Sequence, residues 1–340
     1  MEEKTSMKAK SKFDLRLFLM NNAIYAIMLV MIALVVAVKP SFFSIRVLRD
    51  ILMQSSVRIV VALGCMFVII SGSADLSGGR IVGLTAVIAG TLAEQSTYYL
   101  KYYANLPELP AFVPLLVAVL VGAALGIFNG LVVSKLKVPA FLATLGTAML
   151  AFGISNLYMD AEPNNSQPLG SFTDNFKALG SGSFHDIPYI LLIAVFCVAI
   201  VWILQNKTIL GKEVFAVGGN MEAAKVSGIN VLKIQLFTFA IAGALYGLGG
   251  CLEAARTGSG TASYGTGYEL DAIAACIIGG CSAGGGVGGV GGVVAGVIIF
   301  NIMSYGLTFI GLSPYWQYVA KGVIIIAAVA IDVRKYAKKN

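Results

Sequence analysis

Apolar runs of about 17–25 residues recur along almost the whole chain of 340 residues, and this feature constrains the fold most strongly. In lipid, every backbone N–H and C=O must find a partner within the protein, so each run predicts a membrane-spanning α-helix. The third and eighth runs are short. These two runs and the second run predict broken or re-entrant helices. The sequence therefore predicts eight to ten spans, drawn from 17–38, 52–71, 79–96, 111–134, 139–159, 188–205, 234–255, 268–282, 286–307 and 314–332.

The composition supports a membrane protein and excludes several other classes. Hydrophobic residues make up 58% of the chain, charged residues 12%, and the mean hydropathy is +0.84. Soluble domains carry roughly a quarter of charged residues, because they must cover their surface with polar groups. A cytosolic enzyme, a secreted disulfide scaffold and a disordered regulator are thereby excluded. We expect an all-α, polytopic membrane protein in which residues 1–340 form one transmembrane domain.

The distribution of basic residues predicts the orientation in the membrane. The net charge is +7, and most lysines and arginines lie in 1–16, 206–233 and 334–339, which an even number of spans places on one side. The positive-inside rule makes that side cytoplasmic, with both termini there, although the basic residues of 39–58 run against it. The apolar run 17–38 is too long for a signal peptide, so we expect an uncleaved first span. The charged residues separate apolar runs and do not cluster on a soluble face. They therefore predict a protein that contacts membrane lipid and does not bind nucleic acid.

Residues for catalysis or cofactor binding are sparse. His185 is the only histidine, and the five cysteines lie in apolar stretches without a C-x-x-C pair, so we expect buried thiols and no metal site. Gly211-Lys212 is followed by Glu213, which excludes a Walker A loop, and the G-x-G-x-x-G within 279–296 is not preceded by a strand. The tyrosines of 98–103 suit either membrane-interface anchoring or stacking on a sugar. We expect neither an enzyme nor an ATPase.

Several charged residues fall near or within the predicted spans. They have either a structural or gating role, through helix capping or pairing with Lys321 or Arg80, or the role of carboxylates in an ion-coupled carrier. The sequence leaves both readings open. Two similar segments, D-L-S-G-G (75–79) and E-L-D-A-I (269–273), each follow a broken span and suggest a weak internal symmetry. The residues concerned are Asp75, Arg80, Glu253, Glu269, Asp271 and Lys321.

Two loops are long enough to have a function of their own. The loop 160–187 is polar and is expected on the outer side. The cytoplasmic loop 206–233 contains a predicted two-turn helix, with Asn220 as N-cap, Glu222 in the first turn and Gly228 at the end. A simple connection needs only a handful of residues, so the loop predicts either a contact for a partner or an amphipathic surface helix.

The run M-E-A-A-K-V-S-G resembles the E-A-A-x-x-x-G coupling motif of permease subunits of bacterial ABC importers. Glu222, Ala223, Ala224 and Gly228 occupy the matching positions. The I-x-L-P ending of the longer motif is missing, which points to the monosaccharide branch that contains ribose and galactose permeases. The chain resembles this branch along most of its length, although Ser73-Ala74 alters the residues that lead into Asp75. The similar segments are QSSVRIVVALG (54–64), DLSGGR (75–80), PAFLATLGT (139–147), GKEVFAVGGNMEAAKVSGINV (211–231), ELDAIAACIIGG (269–280) and SPYWQYVAKG (313–322).

The resemblance implies a type II-like ABC importer permease in the bacterial plasma membrane that acts as a homodimer. It implies a separate cytoplasmic ATP-binding subunit, which alone binds ATP, and a periplasmic or lipid-anchored sugar-binding protein. Among monosaccharides it favours galactose over ribose or xylose, and residues 206–233 would be the coupling loop. Two other classes stay open from the residues themselves: an ion-coupled secondary transporter of a small polar solute, and a membrane-embedded enzyme, which the single histidine disfavours.

Overall fold

The computed structural model describes residues 23–337 and folds most of them into α-helix. A 3₁₀ turn lies at Pro40–Phe42, and β1 (Ser183–Phe184) and β2 (Ile187–Pro188) form a short hairpin. The prediction of an all-α fold is confirmed. In the described residues the helices are α1 (Ala23–Val38), α2 (Ile45–Ile70), α3 (Gly78–Leu92), α4 (Phe112–Ser134), α5 (Ala140–Asp160), α6 (Asp174–Ser181), α7 (Tyr189–Lys207), α8 (Ile209–Gly219), α9 (Met221–Val226), α10 (Val231–Thr257), α11 (Tyr268–Ile278), α12 (Val290–Phe309) and α13 (Pro314–Ala337).

Each predicted apolar run contains a helix, but the helices differ in length. Within residues 23–337, six are long and apolar enough to cross a membrane: α2, α4, α5, α7, α10 and α12. With 15 and 11 residues, α3 and α11 are about 22 and 16 Å long, shorter than the bilayer's hydrocarbon core of about 30 Å. The predicted shortness of the third and eighth runs is confirmed. The start of the first run and the basic residues of 1–16 and 338–339 lie outside the described residues.

The central helix is α2, and here the predicted boundary is wrong. The helix is continuous and begins at Ile45, because the Ser44 side chain accepts a hydrogen bond from the Val47 amide (3.3 Å) and caps it. Arg58, predicted at the outer face, therefore lies more than three turns into the helix. In its most apolar stretch, 83% of α2 is buried, against 28% in each of α4, α5 and α7. The protein thus surrounds α2, while α4, α5 and α7 expose broad apolar faces.

Glycines allow the closest helix pair, α4 and α10, to pack backbone against backbone. A Cβ added to Gly122 would lie 2.1 Å from the carbonyl oxygen of Gly243, and one added to Gly126 would lie 2.1 Å from that of Phe239. On the other side of the contact, Gly247 lies against the carbonyl oxygen of Ala118. The glycine spacing of the sequence predicts such small-residue packing, which lets helices associate in lipid.

The spacing of Gly288, Gly292 and Gly296 predicts the same packing for α12, and two of these three glycines join it to α11. A Cβ on Gly292 would lie 2.0 Å from the carbonyl oxygen of Gly279, and one on Gly296 would lie 2.1 Å from that of Ala275. Gly288, by contrast, precedes α12 and lies in the loop 279–289. It is not part of a helix-packing face, because α12 begins only at Val290.

One end of the helix assembly is covered by residues 93–110 and 160–187, together called the cap below. Leu169 and Gly260 exchange two backbone hydrogen bonds of 2.9 and 3.0 Å. Phe172 is buried against Gly90, near the end of α3. The polar loop 160–187 is thus an ordered cover that contains α6 and the hairpin. From the cap, α7 leads to α8 and α9 at the opposite end.

Candidate functional site

The loop between α7 and α10 folds into two helices, where the sequence predicts one. Thr208 starts α8 by accepting a hydrogen bond from the Gly211 amide (3.1 Å), and this N-cap was not predicted from the sequence. As predicted, Asn220 caps the next helix, α9, by accepting from the Ala223 amide (2.9 Å). Only six residues long, α9 is shorter than two turns.

The end of α9 is set by Gly228. This glycine has a φ of +86°, which a residue with a side chain rarely adopts, and it follows the helix directly after Ser227. The Ile229 amide then donates to the Ala224 carbonyl (3.0 Å). Asn230 starts α10 by accepting from the Lys233 amide (3.0 Å). Asparagine caps on both sides therefore delimit α9 as a separate unit.

The surface of α9 is mostly exposed and partly apolar. Glu222 and Ala223 are exposed, whereas Ala224 is buried and anchors the helix to the rest of the protein. Val226 is 88% exposed and Met221 40% exposed, at the two ends of the helix. An exposed apolar helix surface of this kind suits a contact with another protein.

Immediately before α9, the chain contacts two other segments through backbone alone. A Cβ on Gly218 would lie 1.7 Å from the Ile70 carbonyl oxygen and 2.8 Å from the Gly286 amide nitrogen. The Gly286 amide also donates to the Ile70 carbonyl (2.9 Å). We call this three-way contact of 70–72, 218–219 and 285–286 the glycine junction. It connects the α8–α9 unit with the end of α2 and with the loop between α11 and α12.

Gln205, at the end of α7, forms a second connection to the loop that precedes α12. Its side chain is 3% exposed and lies in the last turns of α7. The side-chain oxygen accepts from the Val290 amide (3.2 Å), and the side-chain nitrogen donates to the Gly288 carbonyl (3.4 Å). Gln205 thereby fixes the start of α12. Gln205 was not among the predicted functional residues, although a glutamine inside an apolar helix is a recognisable signal.

The two short helices, α3 and α11, begin next to each other within the helix assembly. A Cβ on Gly79 would lie 2.0 Å from the Glu269 Oε2 atom and 2.2 Å from the Gly265 carbonyl. Gly78 lies against the ring of Tyr246, which is near the middle of α10. From this level α3 runs to the cap and α11 runs towards the glycine junction. The two segments that look alike in the sequence, 75–79 and 269–273, thus lie at the N-termini of two half-helices.

Asp75 belongs to a buried polar network beside the start of α3. It is 2% exposed, and its Oδ1 atom accepts from the Ser77 amide (2.8 Å) and hydroxyl (2.6 Å). Asn129 donates to the Ser77 hydroxyl (3.0 Å) and accepts from Thr147 (2.6 Å). The network joins α3, α4 and α5. For Asp75 these contacts favour a local structural role at the start of α3 over pairing with Arg80.

Asp271 lies between two cations. Its carboxylate is 2.8 Å from Arg58 Nη1 and 2.9 Å from Lys321 Nζ, and all three side chains are largely buried. The pairing with Lys321 is one of the alternatives left open by the sequence. Arg58 was missed, because the start of α2 was placed too late. The three residues join α2, α11 and α13.

A further pair lies nearby, at the end of α10. Glu253 and Arg256 form an ion pair of 2.7 Å within one helix turn. The Tyr268 hydroxyl donates to Glu253 (3.2 Å), and the Tyr268 ring lies below the Arg58 guanidinium at 5.0 Å. These contacts connect the two ion clusters through an aromatic ring.

Arg80 and Glu269 lie at the N-termini of the two half-helices and are only half-buried. Arg80 donates to the Thr266 hydroxyl (3.2 Å), and its guanidinium lies 4.4 Å from the centre of the Phe152 ring. The Glu269 Oε2 atom is buried without a hydrogen-bond partner. Of the charged residues singled out in the sequence, Arg80 retains unused N–H donors at an accessible position, whereas the unpartnered oxygen of Glu269 is buried.

The cap contains one unusual carboxyl group. Glu94 is 2% exposed, and its Oε2 atom accepts from the Tyr102 amide (2.7 Å), while Oε1 has no partner. Burial raises the pKa of Glu94 to about 7, although this hydrogen bond and the charge of Lys101 act in the opposite direction. The Tyr102 ring stacks on Tyr158 at 4.6 Å. Tyr102 thus packs within the cap, a role that neither sequence interpretation includes.

Residues suited to metal binding are not grouped in the part of the chain that the structure describes. All five cysteines are buried, as the sequence predicts. Across residues 23–337, no cluster of three or more His, Cys, Asp or Glu side chains could hold a metal ion.

Comparisons with known proteins give a consistent picture. A family model described as "Branched-chain amino acid transport system / permease component" matches residues 47–329. The galactose/methyl galactoside import permease protein of Escherichia coli is 47% identical over 98% of this chain and 100% of its own length. That of Haemophilus influenzae is 45% identical over 99% and 100%. The ribose import permease protein of Haemophilus influenzae is 36% identical over 95% and 96%. No solved structure matches the chain.

Proposed function

The chain belongs to the family of branched-chain amino acid transport system permease components, and from this membership we propose that it is the membrane subunit of an ABC importer for galactose or methyl galactoside. It is a multi-pass transport subunit and not an enzyme, as the resemblance in its sequence indicates. The sequence is 45–47% identical to two galactose/methyl galactoside permeases and 36% identical to a ribose permease, and this difference favours galactose over ribose as the transported sugar.

An importer of this class needs two further components. One is an ATP-binding subunit, which supplies the energy because this chain lacks a Walker A loop. The other is a substrate-binding protein that delivers the sugar. In this proposal the chain needs no cofactor of its own, and ATP binds only to the partner subunit.

We assign the contact with the ATP-binding subunit to α9, within the coupling loop 206–233. Glu222, Ala223, Ala224 and Gly228 are the residues that match the coupling motif. Their positions support the assignment: Glu222 is exposed in the first turn, Ala224 anchors the helix, and Gly228 ends it. The exposed Val226 adds apolar surface for a groove on the partner. When the partner displaces α9, the glycine junction transmits the movement to the loop 279–289 and to α2.

The remaining architecture follows from this assignment. With α9 on the cytoplasmic side of the bacterial inner membrane, both termini lie in the cytoplasm, and the cap with loop 160–187 lies on the outer side. The exposed apolar faces of α4, α5 and α7 would be covered by membrane lipid and by a second copy of the permease in a homodimer. Asp75, Asp271 and Lys321 have structural roles in holding helices together.

Reconstitution tests the proposal. Proteoliposomes that contain the permease and its ATP-binding subunit, with the binding protein and galactose on the opposite side, should accumulate labelled galactose only with ATP. Excess ribose should compete poorly. Uptake that continues without the ATP-binding subunit, and that an ionophore abolishes, would instead establish the ion-coupled carrier.

A charge reversal on α9 tests the coupling assignment. We expect Glu222→Lys to reduce co-purification of the ATP-binding subunit and ATP-driven uptake at least about tenfold, the effect of losing roughly 1.4 kcal/mol of binding. Asp174→Lys is the matched control, because Asp174 is a highly exposed acid in the cap. It should leave co-purification unchanged. Equal losses in both variants would refute a specific role for α9.

A further inference from the structure

Four side chains form a polar patch where the two half-helices begin: Arg80, Phe152, Thr266 and Glu269. Their level within the protein is fixed by neighbours, since Gly78 packs on Tyr246 near the middle of α10, and Gly79 contacts Glu269. From Tyr246, α10 continues about 16 Å in one direction and about 22 Å in the other, at 1.5 Å per residue. The patch therefore lies near the middle of the membrane.

At this depth, contact with lipid is unfavourable for the patch. Thr266 is exposed, Arg80 and Glu269 are half-buried, and Phe152 is 38% exposed. Charged groups inside a membrane face a water-filled cavity or a protein interior, because burying them in hydrocarbon is costly. The accessible side of the patch must accordingly face an aqueous path or another polypeptide.

The hydrogen-bonding capacity of the patch distinguishes it from the other charged clusters. Asp271 is held by two cations, and the buried Asp75 accepts two hydrogen bonds from Ser77. Arg80, by contrast, carries five N–H donors, and its bond to Thr266 uses one of them. The Phe152 ring holds the guanidinium plane in place. Glu269 is half-buried, and its Oε2 atom is buried beside Gly79 without a hydrogen-bond partner.

We propose that this patch lines the translocation pathway and forms a transient contact site for the hydroxyl groups of a hexose. This inference rests on the proposed transport function and names a site for it. A neutral polyol both donates and accepts hydrogen bonds, and the patch presents donors from Arg80 and acceptors from Glu269 and Thr266. One cation and one anion balance each other, so the patch attracts neither cations nor anions. The contact is small, which suits passage of the sugar and not its retention.

The first test separates a path contact from a structural role by measuring ATP hydrolysis and galactose uptake together in proteoliposomes. Losing a hydrogen bond to a charged group should slow uptake about ten- to a hundredfold. For Arg80→Gln and Glu269→Gln we expect this loss of uptake with ATP hydrolysis retained, so that more ATP is consumed per sugar. Arg256→Gln is the control, because Arg256 is also a half-buried arginine with a carboxylate neighbour. Its ATP-to-sugar ratio should stay that of the wild type.

A parallel fall of hydrolysis and uptake in Arg80→Gln, or an equal rise of the ratio in Arg256→Gln, would overturn the proposal. If the wild-type complex itself does not take up galactose with ATP, the proposed function fails, and this outcome is distinct because it does not depend on the variants.

The second test measures accessibility to water. The native cysteines are buried, so a cysteine introduced at position 266 can be followed with a charged, membrane-impermeant thiol reagent. Thr266→Cys should react, and galactose transported during turnover should slow the reaction at least about twofold. Leu150→Cys is the control at nearly the same depth: Leu150 is 54% exposed on another face of α5 and should not react. An unreactive Thr266→Cys, or one that forms a disulfide with a second copy, would overturn the proposal in favour of lipid or a protein contact.

Discussion

Replacing Asp271 by asparagine removes the carboxylate that lies between Arg58 and Lys321. In the native protein its two oxygens neutralise both cations at 2.8 and 2.9 Å. The variant leaves two positive charges facing each other, with side chains only 15% and 18% exposed. Breaking a buried ion pair by removing one partner costs about 3–5 kcal/mol, and we expect the variant to fall in this range.

Removing a cation should cost much less. In Lys321→Met the Asp271–Arg58 pair remains intact and neutral, so we expect a loss of about 1.5–3 kcal/mol, that of a charged hydrogen bond. Combining the two substitutions leaves Arg58 as the one uncompensated charge. The double variant should therefore be more stable than Asp271→Asn alone. The losses of stability in the two single variants are then not additive.

Unfolding of the purified proteins in mixed detergent micelles, followed by far-ultraviolet circular dichroism, measures these differences. Lys321→Met is the internal control for losing a side chain in the same cluster. A stability of Asp271→Asn within about 1 kcal/mol of the wild type, or equal losses in both single variants, would show that Asp271 does not neutralise the two cations.

Three further predictions concern other parts of the structure. Asn220→Ala removes the cap that accepts from the Ala223 amide, and loss of about 1 kcal/mol of helix stability should weaken retention of the ATP-binding subunit on an affinity column; unchanged retention contradicts this. Gly122→Leu forces a side chain against the Gly243 carbonyl, so we expect at least about 1–3 kcal/mol of destabilisation in detergent unfolding, whereas an unchanged midpoint would show that α4 and α10 can separate freely. The fold favours the neutral form of Glu94, because the pKa of this residue is raised to about 7. Its contribution to the free energy of unfolding is complete below pH 4.5 and is lost as the pH rises towards 7. This contribution is on the order of 3 kcal/mol at most. The thermal midpoint should fall over this interval in the wild type and change less in Glu94→Gln; parallel curves would exclude Glu94 as the cause.

Features that depend on neighbours in the chain were predictable from the sequence. The cap at Asn220 and the stop at Gly228 follow from residues within one helix turn. The close packing of α4 on α10 follows from glycines four residues apart, because that spacing places them on one helix face. The short lengths of α3 and α11 are visible as polar and glycine-rich interruptions of apolar runs.

Features that depend on contacts between distant segments were not predictable. Arg58 and Asp271 are separated by 213 positions, and only the packing of α11 along α2 brings them together. Gln205 likewise finds its partners 83 to 85 positions away, at the start of α12. The polar patch was invisible for the same reason, since Phe152 and Thr266 meet Arg80 only after the two half-helices have folded.

The glycine junction has a consequence for how such a transporter can change over time. Its three segments meet through main-chain atoms, so the contact does not depend on the identity of any large side chain. Substitutions along the proposed pathway can then alter which solute passes without disturbing the mechanical link to the ATP-binding subunit. One ATP-binding subunit can in this way drive permeases for different solutes. The transported solute can then diverge while the movement that couples ATP hydrolysis to transport stays the same.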